Sequence, residues 1–254
     1  MKELKQYSYI CWVLAINSVK VRYKNSFFGV LWGFLNPLAL MYIFIFVFSG
    51  LFSDIENYPL YLLSGLIFWY FFSGSSNEIV FSFIRGSSIL KSIAIPRIIL
   101  PLSGLIANLI HLFFTLVPFF LVMHFYGLEW TFHLLFLIPA VLLFAVFTLG
   151  LSLILASVNV YFRDISMMWS TLLLFIFYCS PVVYGRTIVP ERYDFIMKYN
   201  PITYFMQLFR DALHANQISD NSVWLGAGGM SLLFLIIGLL GYSKLQKGFV
   251  SNLG

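Results

Sequence analysis

Few residues in this sequence are spaced for chemistry. His111, His124, His133 and His214 stand apart from one another and from the two cysteines, Cys11 and Cys179. No His, Cys, Asp and Glu grouping has metal-ligand spacing, and the cysteines lie far apart in apolar surroundings, so neither a metal site nor a disulfide is expected. No Gly-x-x-x-x-Gly-Lys-Ser/Thr occurs, so the chain does not by itself cradle a nucleotide phosphate. An integral membrane transferase would need convergent catalytic residues in or beside a span. The Arg163-Asp164 pair sits at such an edge, but a salt bridge or loop cap accounts for it without chemistry. Glu78 lies within an apolar run. A single acid makes a poor proton relay, so a gate or helix-packing role is an equal reading. His111, also within a run, is expected to be packed and hydrogen-bonded, with a place on a polar pathway as the alternative.

Aromatic rings are the plentiful functional group. The chain has 254 residues, of which 20% are aromatic, with 29 Phe and 15 Tyr. Phe28, Trp32, Leu35, Ala39, Tyr42 and Phe46 follow steps of four and three, which puts them on one helix face. Such a face contacts lipid, packs on a helix, or turns inward and offers flat apolar surfaces to the C–H faces of sugar rings. The last arrangement lets a chain slide with little hydrogen-bond commitment. Gly29-x-x-x-Gly33 on the same stretch reads as a helix-packing pair, and Pro37 is expected to kink the helix.

The elements that must position these rings cross a membrane. The chain is 61% hydrophobic and 10% charged, with a mean hydropathy of +0.91; soluble domains carry about 25% charged residues. The expected fold is all-α and polytopic, one domain over 1–254, with six transmembrane helices. They fall near 30–52, 59–83, 98–124, 132–159, 167–185 and 222–243. Residues 1–26 are read as an amphipathic interfacial helix, because the apolar run from Tyr7 to Ile16 is too short to span and lacks a signal-peptide cleavage site. The second half of the 59–83 run (Ser73, Gly74, Ser75, Ser76, Asn77, Glu78) is polar and should face protein or water. Residues 186–218 mix charges and aromatics in pieces too short to cross, as in re-entrant helices.

Charge sets the orientation. With the N-terminus inside, Lys2, Lys5, Lys20, Arg22, Lys24, Arg85, Lys91, Arg97, Arg163, Lys244 and Lys247 are cytoplasmic. Arg186, Arg192, Lys198 and Arg210 lie outside, balanced by nearby acids. That asymmetry predicts two cytoplasmic termini. The net charge of +5 belongs to helix ends rather than to a nucleic-acid-binding face. Loop acids are expected at Asp54, Glu56 and Glu129. The 85–97 segment is too polar to span and could form a short amphipathic helix that docks into a partner protein.

Six short stretches, in order, resemble the membrane subunit of ABC-2 type exporters, in the branch that holds O-antigen, capsule and teichoic-acid permeases. They are Val21-Arg22-Tyr23-Lys24 with Gly29-x-x-Trp32 and Asn36-Pro37; Tyr61-Leu-Leu-Ser-Gly65-Leu with Trp69; Leu90-Lys-x-x-x-x-Pro96-Arg97; Asn159-Val-x-Phe162-Arg163-Asp164-Ile165; Ser180-Pro181-Val-Val-Tyr184; and Tyr199-Asn200-Pro201 before Phe209-Arg210. The resemblance covers almost the whole chain. It implies a bacterial inner-membrane permease that is not itself an enzyme. It implies a homodimer around a channel, bound to two copies of a separate ATPase that holds ATP and magnesium. The substrate would be a lipid-linked polysaccharide, O-antigen first, with teichoic acid, capsule, or a drug or lipid as alternatives. Trp32, Tyr42, Phe46, Trp69, Tyr178 and Tyr184 would line the channel or gate. Arg85, Lys91, Pro96 and Arg97 would couple to the ATPase. Lys20, Arg22 and Lys24 would form a hinge between the interfacial helix and the gate. The 186–218 region would cap the channel on the far side.

Overall fold

A computed structural model describes residues 2–48, 50, 55, 57–92, 95–128, 130–185 and 188–249. Asp54, Glu56, Glu129 and Arg186, and the end of the expected 30–52 span, lie outside the described residues. The described chain is helical: α1 (Lys2–Arg22), α2 (Trp32–Phe48), α3 (Tyr58–Arg85), α4 (Ser87–Ser92), α5 (Ile99–Phe125), α6 (Leu137–Asn159), α7 (Asp164–Tyr178), α8 (Asp194–Tyr199), α9 (Pro201–Leu213) and α10 (Asn221–Leu245).

Among the described residues, four helical stretches are long and apolar enough to cross a membrane: Gly29–Phe48, Ile99–Phe125, Phe132–Asn159 and Asn221–Gly248. The other two expected spans differ, for separate reasons. The 28 residues of α3 would reach about 42 Å at 1.5 Å per residue, but Ser73 to Glu78 dilute its apolar character. Those six residues are all buried or half-buried, as costly polar groups should be. Helix α7 has 15 residues and stops at Tyr178, short of the expected 185. Pro181 lacks the N–H that a continuing helix needs and pushes Ser180 away from helical geometry. Turns through Ser180 and Val182 follow instead.

Helix α3 is the hub and packs against α2, α5, α6, α7 and α9. Its contact with α6 and α9 is built of phenylalanine. Phe68 stacks on Phe209 at 3.7 Å, and Phe72 stacks on Phe144 at 5.6 Å and on Phe147 at 6.1 Å. Phe205 closes the group against Phe144 at 4.7 Å. Much of the high aromatic content therefore serves the core. In lipid these rings gain little from leaving the solvent, so dense dispersion contact, not hydrophobic transfer, holds them. Helices α6 and α10 make the most extensive contact in the fold. Gly150 lies against the backbone of Phe234 and Leu235, and Gly238 lies against Gly150, which lets the two backbones touch.

Candidate transport path and coupling surface

Helix α1 runs lengthwise along α5. Cys11 sits at the carbonyl of Ile99, and eleven residues later Arg22 reaches Asn108, so the two helices run in the same direction. The basic stretch ends α1 in a polar junction. Arg22 donates to Asn108 Oδ1 at 3.1 Å and pairs with Glu78 Oε2 at 3.3 Å. The next residue, Tyr23, places its hydroxyl 2.6 Å from His111 Nδ1. His111 and Glu78 are thus packed, partnered groups. Lys20 and Lys24, the flanking members of the expected hinge, are exposed. The chain then turns through Asn25 and Gly29, both at positive φ. The expected glycine pair divides here. Gly29 serves the backbone turn and has open space around it, whereas Gly33 abuts His111 and Thr115 of α5.

The aromatic stripe of α2 lies outward. Trp32, Tyr42 and Phe46 are 45%, 64% and 89% exposed, while Phe34, Pro37 and Met41 on the opposite face are buried. Trp32 meets Phe28 edge-on at 5.6 Å. Beside the stripe, α2, α3 and α7 enclose a cleft of about 420 Å³. Leu40 and Phe44 line it from α2, and Trp69, Tyr70, Ser73 and Asn77 from α3. Tyr178 and Ser170 of α7 close it, and Asn77 Oδ1 is buried without a partner. Trp69 differs from the other expected wall residues. It is 7% exposed and held against Phe177 at 5.2 Å, and it forms part of the cleft wall. Tyr184 donates its hydroxyl to the Tyr178 carbonyl at 2.7 Å, so these two expected gate residues form one unit after α7.

The 85–97 segment divides likewise. Arg85 rests over the Phe81 ring at 4.6 Å, and α4 carries exposed Lys91. Pro96 is exposed, but Arg97 turns back to the end of α10, donating to the Gln246 carbonyl and lying 5.8 Å from the Phe249 ring. Among the described residues, Arg85, Lys91 and Pro96 are the exposed members of the expected coupling set. Arg97 thereby ties this segment to the short 3-10 turn Gln246–Gly248 that follows α10, where the Gln246 carbonyl also accepts from the Phe249 N–H. That partnership joins residues 149 positions apart and left no local sequence signal.

At the other end of α3, α8 and α9 fold over the helix ends. Asn200 caps α9, accepting from the Ile202 N–H at 3.0 Å, and ties it to α7 through Ser180 Oγ at 2.8 Å. Arg210 lies over the Tyr61 ring at 3.6 Å and donates to the Val182 carbonyl at 3.0 Å. Asp164, the acid beside Arg163, opens α7, where a negative charge complements the helix N-terminus.

These features define a multi-pass helical membrane protein whose polar groups gather at helix junctions rather than at a catalytic centre. The chain belongs to the ABC-2 type transporter family, whose model matches residues 9–214. Within that family it is a permease, the membrane component without a nucleotide-binding domain. It is similar over nearly its full length to several transport proteins. One O-antigen export system permease protein RfbA of Klebsiella pneumoniae is 32% identical over 249 residues, covering 95% of this chain and 93% of that protein. An RfbA of Myxococcus xanthus is 29% identical, covering 92% of each. The polysialic acid transport protein KpsM of Escherichia coli is 23% identical, covering 94% of each.

Proposed function

We propose that this permease moves a lipid-linked polysaccharide, O-antigen first among the candidates, from the cytoplasmic to the outer leaflet of a bacterial inner membrane. The observation that carries the reading is the outward aromatic face of α2 beside the cleft with α3 and α7. A glycan's hydroxyls cannot be desolvated in hydrocarbon. Rings on one face and scattered polar groups on the next replace that solvent without binding tightly. End-to-end similarity to O-antigen permeases supports the substrate class.

On this reading two copies of the chain face each other across the channel, with Trp32, Tyr42, Phe46, Tyr178 and Tyr184 toward the path and Trp69 behind it. Six helices cross, α3 and α7 among them, and both termini are cytoplasmic. Helix α1 is an interfacial helix braced on α5, and the 186–218 region is the outer cap. Two copies of a separate ATPase dock at α4, and their closure moves α3 and the Lys20 to Lys24 hinge between two states. The test is deletion of the gene followed by analysis of lipid-linked glycans. Accumulation inside with loss from the surface, restored by the intact gene, is expected. Normal surface glycan in the deletion strain overturns the reading.

A further inference from the structure

Behind the outer helices lies a second, smaller pocket of about 270 Å³, separate from the α2–α3–α7 cleft. Tyr61, Pro181, Thr203, Gln207, Arg210 and Asp211 line it. Two of its buried polar atoms, Thr203 Oγ1 and Arg210 Nε, have no partner among the described residues. Arg210 has five N–H donors, but its protein partners are one carbonyl and one ring face, and its Nε has no acceptor. No carboxylate among the described residues pairs with it. Thr203, 8% exposed, has a buried hydroxyl with no partner. Asp211, 9% exposed, accepts from Gln217 Nε2 at 3.2 Å through one side-chain oxygen. Burying such groups unpaired is costly, so the pocket is built for something that completes them.

The lining decides what fits. A phosphate or carboxylate would meet Arg210 but also Asp211, which repels it. An acyl chain would leave every donor unpaired. A vicinal pair of sugar hydroxyls accepts from Arg210 and Thr203 and donates to Asp211, with exposed Gln207 at the rim not needed for the match. The volume, just under the roughly 300 Å³ of the smallest ligand pockets, suits one sugar ring and no more. We propose that this pocket is a saccharide subsite that holds a single pyranose unit of the exported glycan at the outer end of α3. The proposal rests on the reading of this chain as a glycan permease. A subsite for one residue would act as a ratchet, retaining the emerging chain while the channel resets.

Gln207 is exposed beside the pocket and gives access to it. A photocrosslinking side chain, Gln207→benzoylphenylalanine, is introduced into the permease in cells that carry its ATPase and glycan. The same side chain in a separate variant, Tyr42→benzoylphenylalanine, reports on the α2 face. Illumination should attach glycan to the permease at both positions, seen as a ladder on immunoblots. Asp211→Asn or Thr203→Val should weaken the 207 ladder about tenfold, the size expected for loss of a hydrogen bond to a charged or buried group, and leave the 42 ladder intact. Glycan at 42 without glycan at 207 overturns the subsite alone. A 207 ladder unchanged by both pocket substitutions also overturns it, since the glycan then passes without being held. Absence of glycan at both positions overturns the permease reading together with the subsite.

Discussion

Arg22, the last residue of α1, is joined to Glu78 of α3 across 3.3 Å, and the same guanidinium donates to Asn108 of α5. Three helices therefore meet at one side chain. Glu78 lies two turns before Arg85, and α4 follows directly. Both side chains are about 30% exposed, so the ionic part contributes on the order of 0.2–1 kcal/mol to stability. If α4 docks the ATPase as proposed, the junction's larger role is mechanical, since a displacement of α4 and the base of α3 would be passed through it to the turn between α1 and α2. Arg22→Gln and Glu78→Gln should each shift thermal unfolding only slightly and reduce export clearly. The charge-swapped pair, Arg22→Glu with Glu78→Arg, should recover part of the loss. Full export in both single variants would show that the junction carries no coupling.

Where α6 and α10 cross at Gly150 and Gly238, there is no room for a side chain. A Cβ on Gly238 would overlap the backbone of Gly150. No flexible side-chain tip is available to yield, so Gly238→Val must separate the two helices. The expected result is loss of folded permease from the membrane, by well over the 1–3 kcal/mol typical of overpacking. Gly228→Ala, where a Cβ meets open space, should be tolerated. Membrane abundance and detergent melting of the two variants, side by side, check the contrast.

How legible this was depended on range. The spans over α5, α6 and α10 were readable because an apolar run of more than twenty residues has one use. The polar half of α3 was readable as protein-facing because lipid forbids the alternative. The capping Asn200-Pro201 and the turn before α9 follow local rules. The end of α7 was misjudged because the apolar run continues through Val183 although Pro181 has already stopped the helix. Trp69 shows why the aromatics were harder to sort, since core and wall share one periodicity and this ring is both buried and part of the cleft lining. The Arg97–Gln246 and Tyr23–His111 contacts join distant parts of the chain, and no spacing rule reaches that far.

Arg97 makes a specific case for separating structure from coupling. Its guanidinium holds the Gln246 carbonyl and faces Phe249. Lysine keeps the charge but not the planar fork. Arg97→Lys should lower the melting temperature of the purified permease, with a loss of about 1–3 kcal/mol for a charged hydrogen bond. Lys91→Glu and Pro96→Ala, on the free surface, should leave melting unchanged and weaken co-purification with the ATPase. An Arg97→Lys protein that melts normally yet loses the ATPase would assign Arg97 to the docking surface.

His214, just after α9, sets an acid limit. Burial, with Arg210 nearby, holds its imidazole down from the ordinary 6.5 to about 4. It contacts Ser64 Oγ at 3.0 Å and the Tyr61 ring. The folded protein therefore keeps the ring neutral, while the unfolded chain takes up a proton below pH 6.5. This contribution is complete above 6.5 and is lost progressively as pH falls toward 4. His214→Gln should flatten the fall in melting temperature across that window. An equal fall in both proteins would assign the acid sensitivity elsewhere.

The outward face of α2 can be tested against its own helix bundle. Tyr42 and Phe46 are 64% and 89% exposed, whereas Trp69 is buried. Removal of Trp69 should cost about 3–5 kcal/mol, as for other large core aromatics. Tyr42→Ala and Phe46→Ala should leave folding intact. If the face only meets lipid, export should not change either, because alanine is as compatible with hydrocarbon. If it guides a glycan, each truncation removes a surface on which sugar rings slide. Long chains, which make many such contacts, should then suffer more than short ones. The readout is the length distribution of surface polysaccharide, with the double variant showing the larger skew toward short chains. An unchanged distribution in a normally folded double variant would remove these rings from the path.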